Sequence, residues 1–500
     1  MKYTVLDYLE ETSRKFPNKT AFSDVNDSMT WAELVSGARQ YAAVIANFFK
    51  PGAAVPIMCD KNINTIKLFF GCLYAGCFYS FFDSTFPESR ITSMMNTLCA
   101  DHIITEPKNL KKLSSFQTKF SPITTEDLLS SNKSFSDERR RNIIDTDIVY
   151  ANFTSGSTGT PKAVTVSHRS VIDFITCFTE LFNITSDEQI ANQAPFDFDV
   201  SVKDIFSAVF TGATVHLIPK IYFSMPAKLI DFLVERDITS ICWAVSAVCI
   251  ISSLNGFTYK IPSSIKKVMF SGEVMPVKQL KIWQEYLPDA TFVNLYGPTE
   301  ITCNCTYHII SGNIADSIPI GIPFPNERVF LLDEDETEIT AVTPNKVGEL
   351  CVSGTCVATG YYNNAKTAEV FTQNPLQNTH FERIYRTGDL AEYRQDGLLY
   401  YLGRKDTQIK HMGHRIELNE IEAAMETHSD ISRACCIFTG SKIESFYIGT
   451  ETDVKEIIAC VKQLLPTYMV PSTFTYLHEF PITKNGKIDK RALESIINEP

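Results

Sequence analysis

The stretch TSGSTGTPK at 154–162 has the residue types of a phosphate-binding loop. Glycines among small hydroxylated residues expose backbone N–H groups and hydroxyls that can wrap phosphate oxygens, and Lys162 adds a cation. It is not a Walker loop, because Lys162 follows Pro161 and precedes Ala163, where that motif requires Gly-Lys-Ser/Thr opening a helix. A plain surface turn would explain the glycine and serine content but not the ordered cluster ending in Pro-Lys.

Such a loop needs a frame. Between 213 and 297, apolar β-rich runs (VHLI, ITSICWA, KVMFSG, TFVNLYG) alternate with stretches of helical spacing (PAKLIDFLVERD, PVKQLKIWQEYLPD). Strands apolar on both faces, separated by helices, predict a sheet covered by helices on both sides, with ligands at the strand ends. The apolar run at 68–82 is interrupted by Gly71, Gly76 and Ser80 and falls short of the roughly 20 residues of a membrane helix, so it predicts a buried helix followed by a strand and no membrane span. After Tyr385 a Gly-punctuated hairpin region (YRTGDLAEYRQDGLLYYLGRKD) leads into a segment with its own small apolar set (ISRACCIF, SFYIGT, IIACVKQLL). That texture predicts a compact α+β lobe, with a boundary near Lys405 dividing domains 1–404 and 405–500.

With 500 residues, 44% hydrophobic and 21% charged, the chain is expected to be a multi-lobed globular protein. Its formal charge of -12 offers no long-range attraction to nucleic acid or to an anionic membrane. The start, MKYTVLDYLEETSRKFP, carries Asp7, Glu10 and Glu11 where an export signal needs an apolar stretch, which predicts a cytoplasmic protein. The 14 cysteines are scattered through apolar runs with no CxxC pair, and read as buried thiols rather than disulfides or a zinc site.

TSGSTGTPK resembles the signature of the adenylate-forming superfamily, which includes acyl-CoA synthetases, luciferases and the adenylation domains of nonribosomal peptide synthesis. Further motifs follow in that family's order over nearly the whole chain: AGCFYSFFDSTFPESRI, FDFDVSVKDIF, NLYGPTE, GELCVSGTCVATGYYN, YRTGDL, GRKDTQIKHMGHRIELNEIE, LPTYMVP and TKNGKIDK. FDFDVSVKD and GEVMP look most like the amino-acid-activating branch, which includes D-alanine to carrier protein ligases. Ala163 stands where the family usually has glycine, and KHMGHRIELNE replaces the commoner KIRGxRIELGE. No carrier-protein serine motif and no HHxxxDG is present, so the resemblance implies a free-standing monomer that works with a phosphopantetheinylated carrier protein in trans.

The implied fold is α/β, with a large N-terminal lobe of helix-covered sheets and a smaller mobile α+β C-terminal lobe. The implied reaction joins an amino acid to ATP as aminoacyl-AMP, with Mg²⁺, and then forms a thioester. By the resemblance, Thr154, Ser155, Ser157, Thr158 and Lys162 hold the β- and γ-phosphates, Thr299 touches the α-phosphate and Glu300 ligates the metal. Tyr296 stacks on adenine, with Gly272, Glu273, Asn294 and Gly297 around it, Asp389 clamps the ribose and Arg404 lies near ribose and phosphate. Lys487 is the catalytic ammonium and Asp406 the hinge, although a lysine after Asn-Gly is by itself an ordinary turn residue. Taken alone Glu300 would read as a helix-start carboxylate, but Tyr296, Gly297, Pro298 and Thr299 beside it favour the metal role.

Asp199 is implied as the partner of the substrate ammonium, and as a local signal it could instead cap the helix SVKDIFSAVF, in competition with Ser201. The amino-acid pocket is expected from Val200, Lys203, Cys242, Met269, Ser271, Leu295, Cys303 and Asn304. Lys203 could meet an acidic side chain or pair with Asp204 or Asp199. Two other readings stand beside this one. An acyl- or aryl-CoA ligase would share the first half-reaction, and a non-catalytic nucleotide or amino-acid sensor would be expected to lack Lys487, Glu300 or Asp389, all of which are present.

Overall fold

The apolar runs between 213 and 297 fold as the strands Thr214–Leu217, Ser240–Ala244, Lys267–Ser271 and Thr291–Tyr296. The computed structural model describes residues 2–118, 120–129, 135–156, 160–312, 317–342, 345–482 and 488–498. Among these, the four strands belong to a nine-stranded sheet that also holds Gln189–Asn192 and Thr20–Ser23 in parallel, with antiparallel strands at both edges. Register decides which residues share a face. Cys242 lies opposite Met269, and Met269 opposite Val293, so Leu295, two residues on, continues the same face.

The intervening segments are the helices Pro226–Glu235, with proline at its start, and Val277–Tyr286. The run at 68–82 forms the end of the helix Ile63–Tyr74 and then the strand Phe78–Phe81, as its glycine breaks predict. That strand lies in a second, seven-stranded sheet, next to Ile148–Thr154, which leads into the phosphate-loop sequence and returns as Lys162–Ser167. A third sheet is antiparallel in its pairings and contains Val347–Gly354, Arg383–Tyr393 and Leu399–Arg404.

The chain divides into two compact units. One comprises Met1–Ser84, Leu98–Phe153 and Ala163–Lys405; the other comprises Thr85–Thr97, Thr154–Lys162 and Asp406–Pro500. The smaller unit has the hairpin Gln408–His411 and His414–Glu417, the helix Leu418–Met425 and a three-stranded sheet of Ile431–Phe438, Ile443–Gly449 and Thr473–Tyr476. Its core gathers Ile416, Ile421, Met425, Ile457 and Val461. The large helix-covered unit and the small α+β unit are the fold class expected from the sequence. All the cysteines are free thiols, and no helix among the described residues is long and apolar enough to cross a membrane.

Candidate functional site

Asp389 and Arg404 sit directly opposite each other on the paired strands Arg383–Tyr393 and Leu399–Arg404. An Nη1 hydrogen bond from Arg404 reaches Asp389 Oδ1 at 2.5 Å and the Thr387 carbonyl at 3.0 Å. The Tyr296 hydroxyl donates to the other carboxylate oxygen of Asp389. Burial, followed by the Asp389 charge, pushes the Tyr296 phenol well above its ordinary range, so it stays a donor. The TGD turn is held from behind. Thr387 Oγ1 donates to the Leu350 carbonyl at 2.7 Å and accepts the Asp389 N–H at 3.0 Å, and the Gly388 N–H donates to Glu349 at 3.2 Å. Three sequence candidates, distant along the chain, thus meet at one buried carboxylate.

Beyond Tyr296 the chain makes a tight return. Gly297 and Pro298 lead into the 3-10 turn Thr299–Ile301, and Thr302 and Cys303 both adopt positive φ (52° and 88°), a strained conformation for side-chain-bearing residues. The return presses 303–305 onto Gly297, where a Cβ would lie 2.5 Å from Asn304 Cα and 2.7 Å from the Cys303 carbonyl oxygen. Only glycine fits. The Cys305 N–H closes the loop on the Tyr296 carbonyl at 2.8 Å. Thr299 is half-buried, whereas Glu300 is fully buried and accepts a hydrogen bond from the Tyr361 hydroxyl at 2.7 Å. Tyr361 was not among the sequence candidates. Its position in the GYYN stretch after Gly360 was the available signal, and the same motif anchors the loop through Ala358 N–H to the Glu300 carbonyl at 2.9 Å.

Asp199 precedes the helix Val200–Thr211 but does not cap it. Its φ and ψ are already helical (-63°, -24°), and backbone carbonyls of Phe198 and Asp199 already take the N–H groups of Ser201 and Val202. The competing Ser201 hydroxyl donates to the Phe198 carbonyl at 2.6 Å. One turn on, Lys203 is fully buried and its ammonium donates to Asn304 Oδ1 at 2.8 Å and Ser271 Oγ at 3.4 Å.

Pairing of Lys203 with Asp204 or Asp199 is not observed. Among the described residues no carboxylate lies within 4.0 Å of its ammonium. Adjacent helical residues point apart, and Asp204 instead accepts from Asn192 Nδ2 at 2.8 Å. Cys242, Met269, Ser271, Cys303 and Asn304 are buried, and Lys203, Asp204, Cys242 and Met269 line one small cavity. Burial pushes the Cys242 thiol up to about 11 and Cys303 well above the thiol range, so both are neutral near pH 7. Val200 and Leu295 are buried in the core cluster that also holds Cys242, Met269 and Cys303. Gly272 (φ 95°) and Glu273 are half-buried after the strand Lys267–Ser271, and Asn294 donates to the Pro319 carbonyl at 2.8 Å.

In the smaller unit, Thr154, Ser155 and Lys162 are buried. Thr154 Oγ1 has no hydrogen-bond partner among the described residues, and Ser155 Oγ donates to the Arg415 carbonyl at 2.9 Å. Gly156 closes the turn, since a Cβ there would lie 2.1 Å from the Thr160 carbonyl oxygen. Arg415, from the KHMGHRIELNE motif, is a contact the sequence reading missed. Ser157, Thr158 and Lys487 lie outside the described residues. Asp406 is exposed and accepts the Gln408 N–H at 3.1 Å.

The chain as a whole has counterparts among known proteins. A family model described as AMP-binding enzyme matches residues 9–362. Bacitracin synthase 1 of Bacillus licheniformis is 32% identical over 98% of this chain, which spans 9% of that protein. The L-proline--[L-prolyl-carrier protein] ligase of Streptomyces coelicolor is 29% identical, with 98% of this chain and 96% of that protein covered. Among solved structures, holo-PA1221, an NRPS protein containing adenylation and PCP domains, superposes with a TM-score of 0.85 at 23% identity, covering 99% of this chain and 84% of that one. At that identity the likeness establishes the fold.

Proposed function

This chain belongs to the family of AMP-binding enzymes, and on that footing we propose that it activates an amino acid as its aminoacyl adenylate and transfers it to the phosphopantetheine thiol of a carrier protein. In the first step a carboxylate oxygen of the amino acid attacks the α-phosphorus of ATP and pyrophosphate leaves. In the second, the thiol sulfur attacks the acyl carbon and AMP leaves. Both substrates of the first step are anions, so the residues must supply positive charge and hydrogen-bond donors where negative charge builds.

Asp389, buried and hydrogen-bonded through both oxygens, is suited to accept the two vicinal ribose hydroxyls, with Arg404 beside it toward the phosphate. Tyr296, Gly272, Glu273, Asn294 and Gly297 form the adenine end, and Thr299 addresses the α-phosphate. Thr154, Ser155, Ser157, Thr158 and Lys162 receive the β- and γ-phosphates. The unpartnered, buried Thr154 hydroxyl fits that task. Glu300, buried and held by Tyr361, would hold Mg²⁺ together with the phosphates of ATP, since this ion commonly takes one protein carboxylate plus phosphate oxygens. When bound it supplies charge neutralisation.

Lys487 brings the ammonium that bridges the substrate carboxylate and the α-phosphate. Adenylation needs it in the site and thioester formation needs that space for the pantetheine arm, so domain 405–500 turns about Asp406 between the steps. The protein acts as a monomer in a reducing cytoplasm, a setting that suits its free thiols.

The observation that carries the choice of an amino acid is Asp199, whose carboxylate makes no capping bond to its own helix and stands one turn from the pocket residue Lys203. The test is amino-acid-dependent ATP–pyrophosphate exchange. It should fall by about a hundredfold or more in Lys487→Ala, the loss typical of a preorganised transition-state partner. Exchange driven equally well by the deaminated acid, with coenzyme A as acceptor, would make it an acyl ligase instead.

A further inference from the structure

We propose that the amino acid activated by this protein carries an anionic side chain, and that Lys203 is the residue that selects it. The inference rests on the adenylation reading and names the substrate class of that same site. Its starting point is a fully buried ammonium whose hydrogen bonds go to neutral groups, Asn304 at 2.8 Å and Ser271 at 3.4 Å. A buried charge without an ion-pair partner is costly unless a ligand completes the site.

The charges around the pocket can be counted. Lys203 feels Asp199 and Asp204, and Asp204 in turn feels Lys203 and Lys61, whose own ammonium donates to the carbonyls of Asn192 at 2.9 Å and Gln193 at 3.0 Å. With the Cys242 and Cys303 thiols neutral, the charged groups left are Lys203 with Asp199, and Lys61 with Asp204; burial pulls Lys61 down to about 7 and pushes Asp204 up to about 7, so that pair gains or loses its two opposite charges together and leaves the balance unchanged. Burial pulls the Lys203 ammonium down, and its neighbours Cys242, Cys303, Asp199 and Asp204 push it up, with a net upward shift.

An arriving amino acid changes that balance. Its α-ammonium takes Asp199, and adenylation removes the charge of its α-carboxylate. A neutral side chain then leaves the pocket with one positive charge in excess, and the remaining carboxylate, Asp204, is already engaged by Asn192. An anionic side chain restores neutrality and supplies the ion-pair partner that Lys203 lacks. The ligand class is therefore an amino acid with opposite charges at its two ends: an ammonium read by Asp199, and a side-chain carboxylate or comparable oxyanion read by Lys203.

The experiment is pyrophosphate exchange by the full chain with glutamate and aspartate, each set against glutamine and asparagine, together with other neutral amino acids. An acidic amino acid should exceed its own amide by on the order of a hundredfold in kcat/KM, because the amide leaves the ammonium without a counter-charge. Lys203→Met should shrink that ratio to about unity or invert it, and Lys203→Arg should keep its sign. Calorimetric binding of ATP to each variant reports whether it is folded. If Lys203→Met does not bind ATP, the wild-type ratio alone decides. Exchange led by a neutral amino acid would overturn the inference and leave adenylation standing. Exchange with no amino acid at all would overturn the adenylation reading beneath it.

Discussion

Replacing Asp389 with asparagine keeps the side-chain shape and removes one charge, which on the proposed function has two separable duties. The first is structural. Arg404 faces it across the strand pair, with side-chain exposures of 8% and 2% for the arginine and the aspartate. Removing one partner of a buried pair costs about 3 to 5 kcal/mol, and the retained Thr387 carbonyl contact puts this case near the lower end, about 3 kcal/mol. The second duty is ribose binding, where losing a hydrogen bond to a charged acceptor costs about 1.5 to 3 kcal/mol, or roughly ten- to a hundredfold in nucleotide Kd. Urea unfolding and calorimetric AMP binding measure the two. In Asp389→Asn/Arg404→Met most of the stability should return, because no uncompensated guanidinium remains, while nucleotide affinity should not. An Asp389→Asn protein that binds AMP within about twofold of wild type would refute the clamp, whatever its stability.

Two further outcomes follow from local geometry. Gly297→Ala drives a Cβ into the backbone of 303–305 and so displaces Asn304, the acceptor of Lys203, and should cost about 1 to 3 kcal/mol in urea unfolding; it should raise KM for the amino acid more than KM for ATP, and an unchanged amino-acid KM would count against that coupling. His168 is buried, its Nδ1 accepts the Val5 N–H at 3.2 Å, and burial lowers its pKa from 6.5 to about 4, so the unfolded chain binds more protons between those values and stability falls as pH drops through them. That loss should reach about 2 kcal/mol at pH 5 relative to pH 7.5 and be absent in His168→Asn, as read from urea midpoints at the two pH values.

The elements that frame the site were legible because they rest on short-range rules. Apolar runs bounded by Gly and Pro predicted the strands around Val215, Ile241, Met269 and Phe292, and period-2 register then put Cys242 and Met269 side by side. The contacts that make the site specific are not local. Tyr296 and Asp389 lie 93 residues apart, Tyr361 and Glu300 lie 61 apart, and local patterning pairs none of them; Tyr296, Glu300 and Asp389 became candidates only through the motifs NLYGPTE and YRTGDL. Local rules also misled in two places. An aspartate just before a helix suggests a cap, but here the backbone turn at 198–202 starts early enough to use the donors itself, and the Asp199 carboxylate makes no capping bond. A lysine beside an aspartate suggests a pair, but consecutive helical residues diverge by about 100°, sending Asp204 to Asn192 and Lys203 to Asn304 and Ser271. In both places the local rule failed at a residue of the proposed amino-acid site.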